Sequence, residues 1–129
     1  MIVVDAAAVV DAITAVEGSD DLRAAFADGE LAAPALLDFE VVSVLRGLTL
    51  RGHLSATRAE DALTDFDDLE IQRWPAVDGL RRRAFQLRHN LSASDAAYVA
   101  LAEALSCTLL TRDVRLAKSS GHLVTVEVR

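Results

Sequence analysis

Short continuous apolar runs alternate along this 129-residue chain with longer stretches at helical spacing, a pattern that predicts strands and helices in turn. Met1 to Asp5 reads as a buried strand ending in a polar residue, and Ala6 to Val16 as a helix carrying Val9, Val10 and Ile13 on one side. Gly18-Ser19-Asp20 breaks the chain and caps a short helix to Ala27, after which Asp28-Gly29 marks a turn. Leu31 to Ala33 is a second strand. Pro34 opens a loop into a long helix from Leu36 to Leu50, closed by Arg51-Gly52. Ser55 caps another helix to Leu69, and Ile71 to Trp74 is a third strand stopped by Pro75. From Val77 to Arg88 the chain is amphipathic, with Leu80, Ala84 and Leu87 opposed to Arg81, Arg82 and Arg83, which are expected to face solvent. Ser94 to Leu105 is helical, Thr108 to Thr111 a strand, Asp113 to Lys118 one or two helical turns, and Leu123 to Val128 a terminal strand.

The predicted order is β-α-α-β-α-α-β-α-α-β-α-β. Repeated alternation of this kind indicates an α/β domain with a mostly parallel sheet covered on both faces. The length suits a single domain, residues 1–129, because two cores of half the size would bury too little surface. With 52% hydrophobic but only 5% aromatic residues, the core must be built mainly from Ala, Val and Leu. No apolar run approaches the ~20 residues that span a bilayer, and the N-terminus lacks the layout of a secretory signal, so a soluble, cytoplasmic protein without a membrane partner is expected. The one cysteine, Cys107, excludes an internal disulfide and a multi-cysteine metal site, and it reads as a buried, inert thiol.

Four carboxylates then change the picture. Asp5 closes the first strand, Glu40 interrupts an apolar helix, Asp95 opens a helix and Asp113 follows a strand. Each has an ordinary alternative: Asp5 and Asp113 as helix N-caps, and Asp95 in a Ser92-x-x-Asp95 capping box. Glu40 is harder to explain structurally. It shares a face with Leu36, Leu37 and Val44, whereas Asp38 points elsewhere and suits a first-turn surface charge. Open α/β sheets put their sites outside the carboxyl ends of the strands, where all four can converge. Such a cluster would hold a hard divalent cation, Mg²⁺ or Mn²⁺, and leave positions for water and a phosphate. The net charge of −7 cautions against a nucleic-acid partner, but cations bound at the cluster would reverse the local sign.

The segments Val4-Asp5-Ala6-Ala7-Ala8-Val9, Phe39 to Arg46, Ser94-Asp95-Ala96-Ala97-Tyr98 through Ala102, and Leu110-Thr111-Arg112-Asp113-Val114-Arg115-Leu116 resemble PIN-domain ribonucleases, specifically the VapC toxins of type II toxin-antitoxin pairs. The resemblance runs in order along the whole chain. It implies a PIN-like three-layer α/β/α fold and a metal-dependent endoribonuclease. On that resemblance Asp5, Glu40, Asp95 and Asp113 are the catalytic, metal-holding residues, with Asp5 and Asp95 the principal ligands. It further implies that Thr111 supports the site by orienting a carboxylate or water, that Arg112 and Arg115 are candidates for contacting RNA, and that products carry 5′-phosphate and 3′-hydroxyl ends. The implied partners are RNA, a VapB-type antitoxin that fills a groove with an apolar helix and covers the acids with a basic tail, and a second copy of the toxin in a homodimer within a heteromeric assembly.

The chain departs from many relatives in carrying Ala6-Ala7-Ala8, where a Ser or Thr often follows the first Asp. His53, His89 and His122 fall outside the motifs, with no support for zinc. A haloacid-dehalogenase phosphatase would need a second Asp where Ala7 stands, and a phospho-receiver domain would need adjacent acids and a late strand-terminal lysine. The rival from another class is a PIN-like protein of little or no nuclease activity that uses its acidic pocket to bind a basic peptide.

Overall fold

Parallel strands occupy the centre of the structure, a computed structural model that describes residues 1–129. In chain order the elements are β1 (Ile2–Val4), α1 (Ala6–Ile13), α2 (Asp20–Asp28), β2 (Leu31–Pro34), α3 (Leu37–Leu50), α4 (Ala56–Asp68), β3 (Ile71–Trp74), α5 (Asp78–Gln86), α6 (Ala93–Leu105), β4 (Thr108–Thr111), α7 (Val114–Ala117) and β5 (Val126–Val128). The five strands are ordered β3-β2-β1-β4-β5, and every pairing is parallel.

Handedness turns this order into layers. The crossovers from β1 to β2 and from β2 to β3 step one way along the sheet, whereas β3 to β4 steps back the other way. Right-handed crossovers in opposite directions put their helices on opposite faces. Accordingly α1 packs with α2, α3 and α4, while α5 packs on α6, which lies against β1, β2 and β4. The expected three-layer α/β/α architecture is thus what the chain adopts. The order reverses between β1 and β4, so the loops leaving those two strands diverge and open a crevice there.

One cluster of 28 buried residues draws on both helical layers and the sheet, dominated by Ala, Val and Leu. Continuous burial of Leu31-Ala32-Ala33-Pro34 in β2 is the mark of a strand covered on both faces. Burying a Val or Leu stabilises by about 1.5–3 kcal/mol, which is what sets the register of these short strands.

Several boundaries differ from expectation for local reasons. The first helix stops at Ile13, not Val16: Thr14 Oγ1 donates back to Val10 O, and Ala15 takes a positive φ of 50°. Pro34 is the last residue of β2, not the start of a loop. Ala35 N–H donates to Trp74 O, so the missing N–H of Pro34 falls on the β1 side, beyond the last paired residue, Ala32. Ser19 precedes α2 without a side-chain cap; its hydroxyl donates to Val16 O instead. The terminal strand shrinks to Val126–Val128, leaving Leu123 in solvent. Arg81 and Arg82 face solvent as expected, but Arg83 is half-buried, donating to both Glu103 oxygens at 2.7 and 3.0 Å and to Gly121 O, and so ties α5 to α6 and the C-terminal segment. No helix is long and apolar enough to cross a membrane.

Candidate active site

β1 and β4 pair with Val4 opposite Leu110, which brings Asp5 and Thr111 alongside each other at the carboxyl end of the sheet. Asp5 is the N-cap of α1, its Oδ1 accepting from Ala8 N–H at 3.0 Å. Its other oxygen, Oδ2, accepts from the hydroxyl of Thr111, which is fully buried. The same hydroxyl oxygen accepts from Asp113 N–H at 3.0 Å. One threonine therefore joins the turn after β1 to the turn after β4. With Ala6-Ala7-Ala8 offering no hydroxyl, α1 contributes only a backbone donor to Asp5, and Thr111 supplies the side-chain bond from across the crevice.

Glu40 reaches the crevice from the first turn of α3. The buried stripe of that helix is Leu37, Val41 and Leu45, at four-residue spacing, so Glu40 lies with the half-buried Leu36 and Val44 on its flank and not in the middle of the apolar face. Its Oε1 accepts from Tyr98 Oη at 2.5 Å. Asp38, two residues earlier, is paired with Arg73 at 3.0 Å, the surface role its spacing suggested.

Asp95 opens α6, where Ser92 Oγ accepts from Asp95 N–H at 3.2 Å. Only half of a capping box forms, because the Asp95 carboxylate does not return a bond to Ser92 N–H. Asp113 caps the short α7, with Oδ1 accepting from Arg115 N–H at 2.9 Å and the Arg115 guanidinium on both of its oxygens at 3.1 and 3.3 Å.

The charges of these groups act on one another. Burial pushes the Asp5 carboxyl above its ordinary range, the bonds from Thr111 and Ala8 pull it back, and the charges of Asp95 and Asp113 push it up again. Burial, the bond to Glu40, and the charges of Glu40, Asp5 and Asp95 all raise Tyr98, which stays a protonated phenol. Asp113 goes the other way: its bond from the Arg115 guanidinium holds it below the usual carboxylate range. The four acids thus share one electrostatic neighbourhood, yet no three of them stand around a single ion-sized space as they are arranged. Both Asp5 oxygens are held by Thr111 and Ala8, Glu40 Oε1 by Tyr98 and both Asp113 oxygens by Arg115, while the Asp95 carboxylate and Glu40 Oε2 accept nothing from the chain.

The donor chemistry nevertheless suits a hard divalent cation. Every candidate ligand is a carboxylate, none is a soft sulfur or imidazole, and a cation would offset the cost of burying the Asp5 charge, which is what chiefly raises that carboxyl.

The two flanking arginines are held by partners of their own. Arg112 is turned to α1 and the chain end, donating from Nε to Asp11 at 2.9 Å and from Nη1 to Gly18 O and Arg129 O. Arg115 is exposed beside Asp113. His53 and His89 are exposed, and His122 is held by Ser119 and Val124 N–H. Cys107 sits half-buried before β4, and burial pushes its thiol up.

Tyr98 stood in the sequence only as part of the Asp95 motif, with no part assigned to it in the site. Its spacing carried the signal: three residues beyond Asp95, it shares that residue's helix face. An apolar groove of about 430 Å³ is lined by residues including Leu36, Trp74, Leu80 and Phe85 together with Arg81 and Arg88, and reaches Ala93 and Ala97, which flank Asp95 on α6.

A PIN domain profile matches residues 2–121. The chain belongs to the PIN-domain family. Within it, the chain is 46% identical over 116 residues to ribonuclease VapC9 of Mycobacterium tuberculosis, covering 90% of this chain and 88% of that one. It is 35% identical over 128 residues to ribonuclease VapC12 of the same organism, covering 99% and 98%. Among solved structures it is similar to PAE2754 from Pyrobaculum aerophilum, with a TM-score of 0.69 and 25% identity, covering 98% of this chain and 83% of the other. The matched PIN residues contain all four acids, Thr111 and Tyr98.

Proposed function

We propose that this PIN-domain protein is an endoribonuclease toxin of a VapBC-type toxin-antitoxin pair, hydrolysing RNA phosphodiester bonds with the help of Mg²⁺ or Mn²⁺. The observation that carries the reading is the hydrogen-bonded link from Asp5 through Thr111 to the Asp113 turn at the switch point of a PIN fold, with Tyr98, one turn beyond Asp95, bonded to Glu40. The VapC relatives described as ribonucleases support it.

Asp5 and Asp95 would be the principal holders of the cation, and Glu40 and Asp113 would bind it directly or through water. When bound, the cation supplies the positive charge that stabilises a phosphodiester as charge builds on its oxygens. The chain's own side chains orient these ligands: Thr111 fixes the rotamer of Asp5 and the turn that carries Asp113. Both arginines hold a carboxylate, but Arg115 is 89% exposed against 23% for Arg112, which makes it the better candidate for an RNA phosphate.

The apolar groove that reaches α6 beside Asp95 supports the antitoxin, whose apolar helix would lie in it and whose basic tail would reach the acidic crevice. Phe39, 81% exposed, and Val42 on α3 support a homodimer contact. One observation favours the second reading, a weakly active protein that captures a basic peptide: Asp113 already holds an arginine in fork geometry.

The deciding experiment is cleavage of RNA by the purified chain with Mg²⁺ or Mn²⁺, alongside Asp5→Asn and Asp95→Asn. Cleavage is expected to require the cation and to fall by more than about 100-fold in each variant, beyond the usual cost of losing an outer partner of a metal ligand. Both variants are expected to stay folded, because Asn caps α1 as well as Asp5 does and the Asp95 carboxylate makes no hydrogen bond within the chain. Activity that survives EDTA, or that both variants retain, would overturn the nuclease reading.

A further inference from the structure

Tyr98 is 2% exposed, yet its hydroxyl is not spent on packing. It projects from α6, one turn beyond Asp95, and donates to Glu40 Oε1 at 2.5 Å across the interface with α3. It is the only protein donor to Glu40, and Oε2 of that carboxylate receives no hydrogen bond from the chain. Without it, Glu40 would be a half-buried carboxylate at the end of three rotatable bonds, facing the charges of other acids with nothing to orient it.

The pairing is specific in kind. A lysine or arginine at position 98 would neutralise Glu40 and put a fixed cation in the crevice, in competition with any divalent ion. A phenylalanine would fill the same space and leave the carboxylate undirected. A phenol orients one oxygen while leaving the negative charge in place, and it links α6, which carries Asp95, to α3, which carries Glu40.

We propose that Tyr98 is a positioning residue, whose hydroxyl aligns Glu40 on the acidic crevice so that the Oε2 atom of Glu40 is presented to the cation or its water. The proposal rests on the metal-nuclease reading and adds to it a residue that touches neither substrate nor metal. Outer partners of metal ligands typically account for a 10–100-fold change in affinity, which sets the size of the effect.

The test is Mn²⁺ binding by titration calorimetry without RNA, on the wild-type chain, Tyr98→Phe, Glu40→Ala and the double variant. Tyr98→Phe is expected to weaken Mn²⁺ binding by about 10-fold, and the same substitution in the Glu40→Ala background to change it no further, because the hydroxyl acts only through that carboxylate. In cleavage assays Tyr98→Phe lowers kcat at saturating Mn²⁺ and leaves KM for RNA unchanged. Equal losses in the two backgrounds, or a Tyr98→Phe protein that no longer folds, would make the hydroxyl a general structural element and overturn the proposal. Unchanged Mn²⁺ affinity in Tyr98→Phe would overturn it while leaving the nuclease reading intact. A wild-type chain that binds no Mn²⁺ would remove that reading and this proposal together.

Discussion

Replacing Thr111 by valine keeps the shape of a fully buried side chain and deletes the hydroxyl that joins Asp5 to the Asp113 turn. Two bonds go at once. The bond to the Asp5 carboxylate is of the charge-assisted kind, worth about 1.5–3 kcal/mol, and the Asp113 N–H loses its partner in a part-buried position. Set against a small gain from the added methyl, the net loss is about 2 kcal/mol at neutral pH, or roughly 6–10 °C in Tm for a domain of this size. The loss depends on pH. Burial already raises the folded-state pKa of Asp5 above its unfolded value, and the Thr111 bond is the largest influence restraining it. A carboxyl with a raised folded pKa costs stability above that pKa, and the cost disappears below the unfolded value, where both states are protonated. Deleting the restraint raises the folded pKa further, so the gap in Tm between wild type and Thr111→Val should be widest near pH 7. It should narrow as pH falls through the range from the raised pKa to ordinary carboxylate values. Thermal melts by circular dichroism in EDTA, from pH 3.5 to 7.5, measure this directly. A gap that is constant with pH, or that widens on acidification, would refute the assignment of the Thr111 bond to the charged form of Asp5.

Arg115→Ala should release Asp113, whose carboxyl then returns towards its ordinary pKa, and should tighten Mn²⁺ binding by no more than about 5-fold, the ceiling for an exposed pair; calorimetry that shows weaker binding would mean the arginine helps rather than competes. Ser92→Ala removes the α6 cap and should cost about 1 kcal/mol in urea unfolding, without the pH signature of Thr111→Val, because Asp95 N–H is its only partner in the cap. Leu101→Ala, buried in α6, should cost about 2–5 kcal/mol by the same assay; a loss below 1 kcal/mol would contradict the packing of α6 on the sheet.

Element order and fold class were legible because the apolar runs are short and cleanly bounded: Ile2-Val3-Val4 and Thr108 to Thr111 could be nothing longer than strands, and Ala93 to Leu105 could be nothing shorter than a helix. The ends were less legible, since they turn on side-chain bonds such as Thr14 to Val10 O and on which neighbour a strand has at its last residue, as with Pro34. At the site, Asp5 and Asp113 were visible as polar residues at strand ends. What pattern alone could not show was how each acid is held. That Thr111 bonds Asp5 depends on β1 lying next to β4, a pairing of residues more than a hundred positions apart. That Tyr98 reaches Glu40 depends on the angle between two helices, which hydrophobic spacing does not encode. Arg83 was missed for the same reason, its partner Glu103 lying on a different helix.

The kinds of donor given to the four acids separate a structural from a chemical use of them. A carboxylate kept only for stability is best served by a cationic partner, as Asp38 is by Arg73, Asp11 by Arg112 and Glu103 by Arg83. The inner acids of the crevice are treated differently. Asp5 has a threonine hydroxyl and a backbone N–H, Glu40 has a phenol, and the Asp95 carboxylate has no donor. Only Asp113 carries an arginine, and that arginine is in solvent and free to leave. Neutral donors orient a carboxylate without cancelling its charge, so the crevice retains its negative charges, and Asp5, raised by burial first and by Asp95 and Asp113 after it, bears some cost to stability. The chain pairs Asp11, Asp38, Asp78, Glu103 and Glu127 with arginines but gives none to Asp5, Glu40 or Asp95. That it leaves the charge uncompensated in the crevice is what a site for an external cation requires, and four independent helix caps would not.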